Sequence, residues 1–222
     1  MNYKFDFTAV WAAIPDLLMG CLGTLGLAFA GMFIAIIIGV AGVALRDSHV
    51  PAIRWAVKTF VEVIRNTPFL VQIYFIFFAL PFAGILIDPT PTAIIALGVN
   101  GGAYAIEIIR GGVQAIHKGQ IEAGKALGLH KLQIFRLIIL KPALRAIFPS
   151  LSSQFILLTL TTSVASAISA YELTSVARLV ESASFRSFEV YFVVTALYLA
   201  ISYVMLTSFS LIAQRYFSYP AR

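Results

Sequence analysis

Five stretches of the chain contain no Asp, Glu, Lys or Arg: residues 17–45, 66–87, 89–106, 146–171 and 190–214. A bilayer core of about 30 Å is crossed by roughly 20 apolar helical residues, so each stretch is long enough for one crossing. The pattern predicts an all-α membrane protein with five transmembrane helices, at about 17–45, 58–82, 90–112, 142–170 and 189–214, in one domain covering residues 1–222. The same pattern excludes a β-barrel. Residues 33–40 read FIAIIIGV, without the alternation of lipid-facing and lumen-facing positions that a barrel strand needs.

Composition sharpens the picture. With 60% hydrophobic and 12% charged residues, an ordinary soluble domain is ruled out. The first apolar stretch is too long for a signal-peptide core and follows Asp6 and Asp16 rather than a basic leader, so it is expected to stay in the mature protein. Cys21, the single cysteine, lies inside that stretch and reads as a small packing residue. His49, His117 and His130 stand too far apart for metal-ligand spacing, so no metal site is expected. No catalytic site is expected either, because the acidic residues are scattered singly and no pair falls at helical spacing within a span.

If the five helices alternate in direction, segments 46–65, 107–145 and 215–222 share one side. They hold 13 of the 16 Lys and Arg, leaving Lys4, Arg178 and Arg186 on the other side. The positive-inside rule then places the N-terminus outside and the C-terminus, with Arg215 and Arg222, in the cytoplasm. Anionic lipid headgroups account for the net charge of +6. No nucleic-acid partner is expected, since no basic groove with interleaved aromatics stands outside the apolar stretches.

The cytoplasmic segment 107–145 is far longer than a helical hairpin requires. Within it, residues 121–129 read IEAGKALGL, good helix formers followed by Gly128 in position to end a short helix through a left-handed cap. The small residues Ala123, Gly124 and Ala126 would let another protein come close, with Glu122 and Lys125 at the edge. Periodicity is equally satisfied by an amphipathic connector lying on the headgroups.

Glu122-Ala123-Gly124, three residues, Gly128, nine residues, then Ile138-Ile139-Leu140 resembles the EAA signature of ABC-importer permeases. That signature reads Glu-Ala-Ala, three residues, Gly, nine residues, Ile, one residue, Leu-Pro. Here Gly124 replaces the second Ala, and Lys141 stands at the usual Pro with Pro142 one position later. The shifted Pro is expected in the first turn of the next helix, where it is tolerated. Arg65-Asn66-Thr67-Pro68-Phe69-Leu70-Val71-Gln72 is similar to the second-helix motif of histidine/glutamine-type polar amino acid permeases. Residues 104–112 with Lys118-Gly119-Gln120 are similar to their approach to the EAA loop, and Glu172-Leu173-Thr174 with residues 184–189 to their last external loop.

This resemblance implies the type I ABC-importer permease architecture: five transmembrane helices and a cytoplasmic coupling helix in a bacterial inner-membrane subunit. It implies a second permease subunit, a copy or a relative, and two cytosolic ABC ATPase subunits. It implies too a periplasmic or lipid-anchored amino acid binding protein, with membrane lipids around the whole. The ATPase-coupling residues would be Glu122, Ala123, Gly124, Lys125, Leu127 and Gly128. The chain has no GxxxxGK[ST] motif, so ATP and Mg are expected on the partner ATPase, with no cofactor held here and no hydrolysis by this subunit. The long first helix, 17–45, with Gly20, Gly23, Gly31, Gly39 and Gly42, would pack across the partner permease. The pairs Gly101-Gly102 and Gly111-Gly112 read as close-packing positions on helix 3.

Polar side chains inside apolar spans are expensive in lipid and face a cavity or another helix. Candidates for substrate binding are Asn66, Thr67 and Gln72 around the disturbance at Pro68, Asn100 and Tyr104 on helix 3, and Gln154, Thr161 and Thr162 on helix 4. The same residues could simply hydrogen-bond between helices. Glu107 reads as the partner of Arg110, three residues on. Many relatives carry Lys-Asp-Thr-Ser where this chain has Leu160-Thr161-Thr162-Ser163. Without that carboxylate the cargo is not expected to be selected as a cation. On the outer side Glu172, Arg178, Glu181, Arg186 and Glu189 fit either a transient protein contact or a solvated loop. An ion-coupled carrier or channel for small polar solutes is the alternative function; it would show intramembrane charges or inverted halves, and no such symmetry is visible.

Overall fold

The computed structural model describes residues 3–217, so Arg222 lies outside the described residues. In chain order the helices are α1 (Thr8–Ala12), α2 (Ile14–Arg46), α3 (Pro51–Arg65), α4 (Phe69–Phe82), α5 (Pro89–Gln114), α6 (Lys118–Ala126) and α7 (Lys131–Gln133). A π-helical stretch, Ile134–Ile139, leads into α8 (Leu140–Thr161), and a 3-10 stretch, Thr162–Ile168, extends it. Then come α9 (Leu173–Ser184) and α10 (Ser187–Phe217). Ile14–Arg46, Pro89–Gln114, Lys131–Ile168 and Ser187–Phe217 are long and apolar enough to cross a bilayer; α3 and α4 together make a fifth only as a pair bent by 109°.

That bend corrects the expected second span, 58–82. Pro68 has no N–H to continue a helix and sits in extended geometry (φ −64°, ψ 136°), so the chain leaves α3 at Arg65 and restarts at Phe69. Keeping α3 in line with α4 would carry Lys58, Glu62 and Arg65 into hydrocarbon. Turned aside, α3 lays Val57, Val61 and Ile64 against the bundle and leaves Lys58, Glu62 and Arg65 exposed. The 14 residues of α4 rise only about 21 Å, short of a full bilayer core.

The expected fourth span, 142–170, also changes. Its helix begins at Lys131, so Pro142 lies well inside it rather than in a first turn. The preceding π-helical turns are wide, and widening of this kind accommodates a residue that cannot donate to the carbonyl one turn back. At the other end the helix tightens to 3-10 geometry and stops at Ser169, whose φ is 61°.

The spans pack through glycine. A Cβ on Gly31 would lie 2.8 Å from Leu97, one on Gly39 2.7 Å from Ala105 and one on Gly42 2.4 Å from Ile106, so α2 and α5 run parallel at backbone contact. Gly20 and Gly23 meet the backbone of Leu173 and Tyr171 beside α9. These glycines of the first helix therefore pack within this chain, against α5 and α9. On α5, Gly101 faces Leu158, Gly102 faces Ile38 and Gly112 faces Ile147, so α8 runs antiparallel to α5; at Gly111 there is open space. Phe155 against Phe209 and Phe148 against Phe217 set α10 antiparallel to α8. Outward, Phe33, Phe75, Leu199 and Tyr203 are each more than 60% exposed, a surface suited to lipid and unsuited to water.

Candidate functional site

The break between α3 and α4 gathers polar groups beside the middle of α5. The Gln72 side-chain amide donates to the Ile64 carbonyl (2.8 Å), the Thr67 carbonyl (3.1 Å) and the Thr67 hydroxyl (2.8 Å). Its carbonyl oxygen accepts from Asn100 Nδ2 at 2.9 Å. One glutamine thus ties the end of α3, the break and α5 together. Asn66 donates to the Glu62 carbonyl (2.7 Å) and stays exposed; Tyr104 lies under the Arg65 guanidinium, 5.2 Å from ring centroid to Cζ. The predicted Thr67, Gln72 and Asn100 therefore form one cluster, with Asn66 and Tyr104 at its edge.

Gln154, Thr161 and Thr162 come from a different element. Thr161 donates to the Leu157 carbonyl (2.8 Å) and the buried Thr162 to the Thr159 carbonyl (2.7 Å), so both hydroxyl protons turn back on their own helix. Gln154 is half-buried on α8. α4 touches both α5 and the 3-10 stretch, which brings the two sets of residues onto neighbouring elements. Among the described residues no hydrogen bond joins them. Below the cluster, Glu107 accepts from Arg110 (2.5 Å), as its spacing foretold, and also from Arg46 at the end of α2.

The second feature is α6. His117 caps its start, accepting from the Gly119 N–H at 3.2 Å. At its end Gly128 takes φ 75°; the Gly128 N–H reaches the Lys125 carbonyl (3.0 Å) and the Leu129 N–H reaches the Gly124 carbonyl (3.1 Å). These are the two bonds of a Schellman cap, so the helix runs Lys118–Ala126 instead of 121–129, with the left-handed glycine where the sequence placed it. Gly124 is buried, and a Cβ there would lie 2.5 Å from Ile138 Cδ1. It packs on the π-helical stretch and is not part of an outward small-residue surface, a correction. Glu122, Ala123, Lys125, Ala126 and Leu127 point away from the bundle, Leu127 80% exposed. A short rigid helix, fastened on one side to a long span, can transmit a push.

At the opposite end, Glu172 and Glu189 are fully buried, which corrects their assignment to an open charged loop. Glu172 caps α9, accepting from the N–H groups of Thr174 (2.8 Å) and Ser175 (2.6 Å) and from Tyr198 Oη (2.8 Å). Burial pushes its carboxyl above the ordinary carboxylate range, against the pull of those donors. Glu189 accepts from Tyr3 Oη (2.5 Å) and the Asp6 N–H (3.0 Å). Sequence reasoning missed the hollow beside α9. Ser166 and Ser169 lie inside the expected span 142–170 and look like ordinary span residues until the helix tightens to 3-10 geometry.

Residues 31–218 match the family described as the binding-protein-dependent transport system inner membrane component. The chain is 39% identical over 204 residues to the glutamine transport system permease protein GlnP of Escherichia coli K12, covering 91% of this chain and 93% of that one. It is 38% identical over 199 residues to the probable glutamine ABC transporter permease protein GlnP of Bacillus subtilis 168, covering 88% and 89%. Its fold is similar to a solved amino acid ABC transporter crystallised with histidines, at 31% identity and TM-score 0.90, over 96% of this chain and 100% of that one. With the glycine-capped loop helix and the bundle that anchors it, these likenesses show that the chain belongs to the binding-protein-dependent transport system inner membrane components, as the permease subunit of an ABC importer.

Proposed function

We propose that this subunit forms the membrane pathway for an uncharged polar amino acid of the glutamine kind, and that two cytosolic ATPase subunits drive it by gripping α6. The observation that carries the coupling role is the geometry of α6. Glu122, Ala123, Lys125, Ala126 and Leu127 face outward, while Gly124 and the Schellman cap at Gly128 lock the helix to the span that holds Gln154, Thr161 and Thr162. Closure of an ATPase pair on α6 would swing that span against α5 and open the pathway on the other side, a rigid-body alternation between two packings. This subunit supplies motion and a path, and its partners bind ATP and Mg and hydrolyse the nucleotide. The charge partition favours α6 in the cytoplasm and the N-terminus outside.

The cargo reading rests on amides and hydroxyls. Thr67, Gln72 and Asn100 offer neutral donors and acceptors, and position 161 offers a threonine where a carboxylate would favour a cationic side chain. A second permease subunit completes the path, since one such bundle cannot enclose it. The test is uptake by proteoliposomes containing the chain with its partner permease, ATPase and binding protein. Glutamine uptake should exceed arginine uptake at least tenfold (a ratio of about 1.4 kcal/mol), and Gly128→Val should leave the complex assembled but hydrolysing ATP without transport. Arginine uptake far above glutamine overturns the cargo; normal transport by Gly128→Val overturns the coupling role.

A further inference from the structure

Beside α9 lies a hollow of about 760 Å³, lined among others by Ser166, Ser169, Tyr171, Arg178, Glu181 and Ser187. It belongs to neither the Gln72 cluster nor α6. Three observations give it a chemistry. First, Arg178 and Glu181 stand three apart on α9 and so share one face of that helix, one charge of each sign. Arg178 uses one nitrogen on the Ser166 carbonyl (3.2 Å), while Glu181 accepts from Ser187 Oγ (2.7 Å) and Tyr191 Oη (2.8 Å). Neither is hydrogen-bonded to the other among the described residues, and each keeps donors or lone pairs to spare. Nearby, Arg186 is engaged by the Lys4 carbonyl, Asp6 and Glu189, and Glu172 by its own helix and by Tyr198.

Second, the helix leading out of α8 is 3-10 from Thr162 to Ile168, and positions three apart eclipse in that geometry. Ser163 and Ser166 therefore stack on one face, with Ser169 following at the same spacing. Ser163 Oγ donates to the Leu160 carbonyl (2.8 Å) and Ser166 Oγ to the Ser163 carbonyl (2.7 Å). Their protons are committed along the helix, which leaves oxygen lone pairs to accept from a cationic N–H. From the hollow the ladder leads back along the helix toward the start of the 3-10 stretch at Thr162. Third, Ser169 and Phe185, the two non-glycine residues with positive φ among the described residues, both line the hollow (φ 61° and 56°). The fold holds a disfavoured backbone at both edges of this space.

We infer that the hollow is a loading site for a zwitterionic amino acid, whose α-carboxylate meets Arg178 and whose ammonium meets Glu181 and the oxygens of Ser166 and Ser169. The space exceeds a single amino acid. It therefore reads the groups common to all α-amino acids and leaves the side chain to be read deeper, with the serine ladder as the way inward. The hydroxyls of Ser187 and Tyr191 hold Glu181 below the usual carboxylate range, so it stays charged at neutral pH. This inference rests on the amino acid cargo proposed above.

The test uses proteoliposomes of the complete transporter at saturating loaded binding protein, with docking of that protein measured separately on the same complexes. Arg178→Ala should lower uptake about tenfold, the loss expected for one charge-assisted hydrogen bond. Arg178→Lys should recover most of it, and Ser166→Ala should lower uptake about threefold. Docking affinity should stay within twofold in all three. Unchanged uptake in Arg178→Ala overturns the loading site. Docking that weakens in step with uptake also overturns it, assigning the hollow to the binding protein's surface instead. A wild-type complex that imports no amino acid overturns the cargo and the loading site together, whereas wild-type uptake with an unaffected Arg178→Ala overturns the loading site alone.

Discussion

Two short helices close the bundle at opposite ends, and they are held in opposite ways. α9 is sunk into the fold: Leu173, Val176 and Ala177 are buried, the Leu173 N–H donates to Thr24 Oγ1 at 3.2 Å, and Gly20 and Gly23 bring α2 up to the backbone beside it. α6 touches its own chain along one side and buries only Gly124. α9 rests on desolvated contacts that cannot be rearranged cheaply. α6 rests on a cap and a hinge-side contact that leave its outer face free. The contrast separates a helix that belongs to the stability of the subunit from one whose surface is available to a second protein.

The contrast can be broken most directly at the α2–α9 seam. Valine at Gly23 would place its Cβ 2.8 Å from the Tyr171 carbonyl oxygen, a backbone atom with nowhere to move. Gly23→Val is expected to cost about 3 kcal/mol, read as a loss of thermal stability in detergent. Unfolding at the wild-type temperature would show that α9 is only loosely seated.

A smaller effect sharpens the same point by pH. The folded state raises the Glu172 carboxyl above its unfolded value, so its contribution to stability is fully present below about pH 4.3 and is lost as pH rises through the folded value. Wild-type melting temperature should therefore fall from pH 4 toward neutrality relative to Glu172→Gln, which cannot titrate. Parallel curves for the two proteins would mean that Glu172 is solvated. The smallest effect on stability belongs to α6: Glu122→Lys should change unfolding by no more than about 0.5 kcal/mol, while lowering transport per ATP hydrolysed. A large loss of stability there would make α6 another α9.

Legibility followed the same division. The Gly128 cap could be read because a left-handed residue after a run of helix formers is a local matter, settled within a few positions. The Glu107–Arg110 pair could be read because three residues along a helix return to the same face. The cluster of Thr67, Gln72 and Asn100 was half legible: polar residues in apolar runs announced themselves, but their union required α4 and α5 to meet. The burial of Glu172 and Glu189 was not legible, since two carboxylates in a loop with arginines read as solvated until α2, α10 and the N-terminal segment close over them.

The order of the residues alone determined where the apolar stretches lie, how Lys and Arg divide among the segments between them, and the glycine that ends the loop helix. Hydropathy, charge and capping are properties of neighbouring residues and survive without knowledge of the rest of the chain. Three-dimensional packing settled the 109° turn at Pro68, the partners of the glycines on α2, the wide turns before Pro142 and the 3-10 phase that lines up Ser163 and Ser166. The prolines announce the two breaks, but their angle and pitch, like the partners of the glycines, depend on which distant backbone comes within contact range, and a one-dimensional pattern carries no such distance.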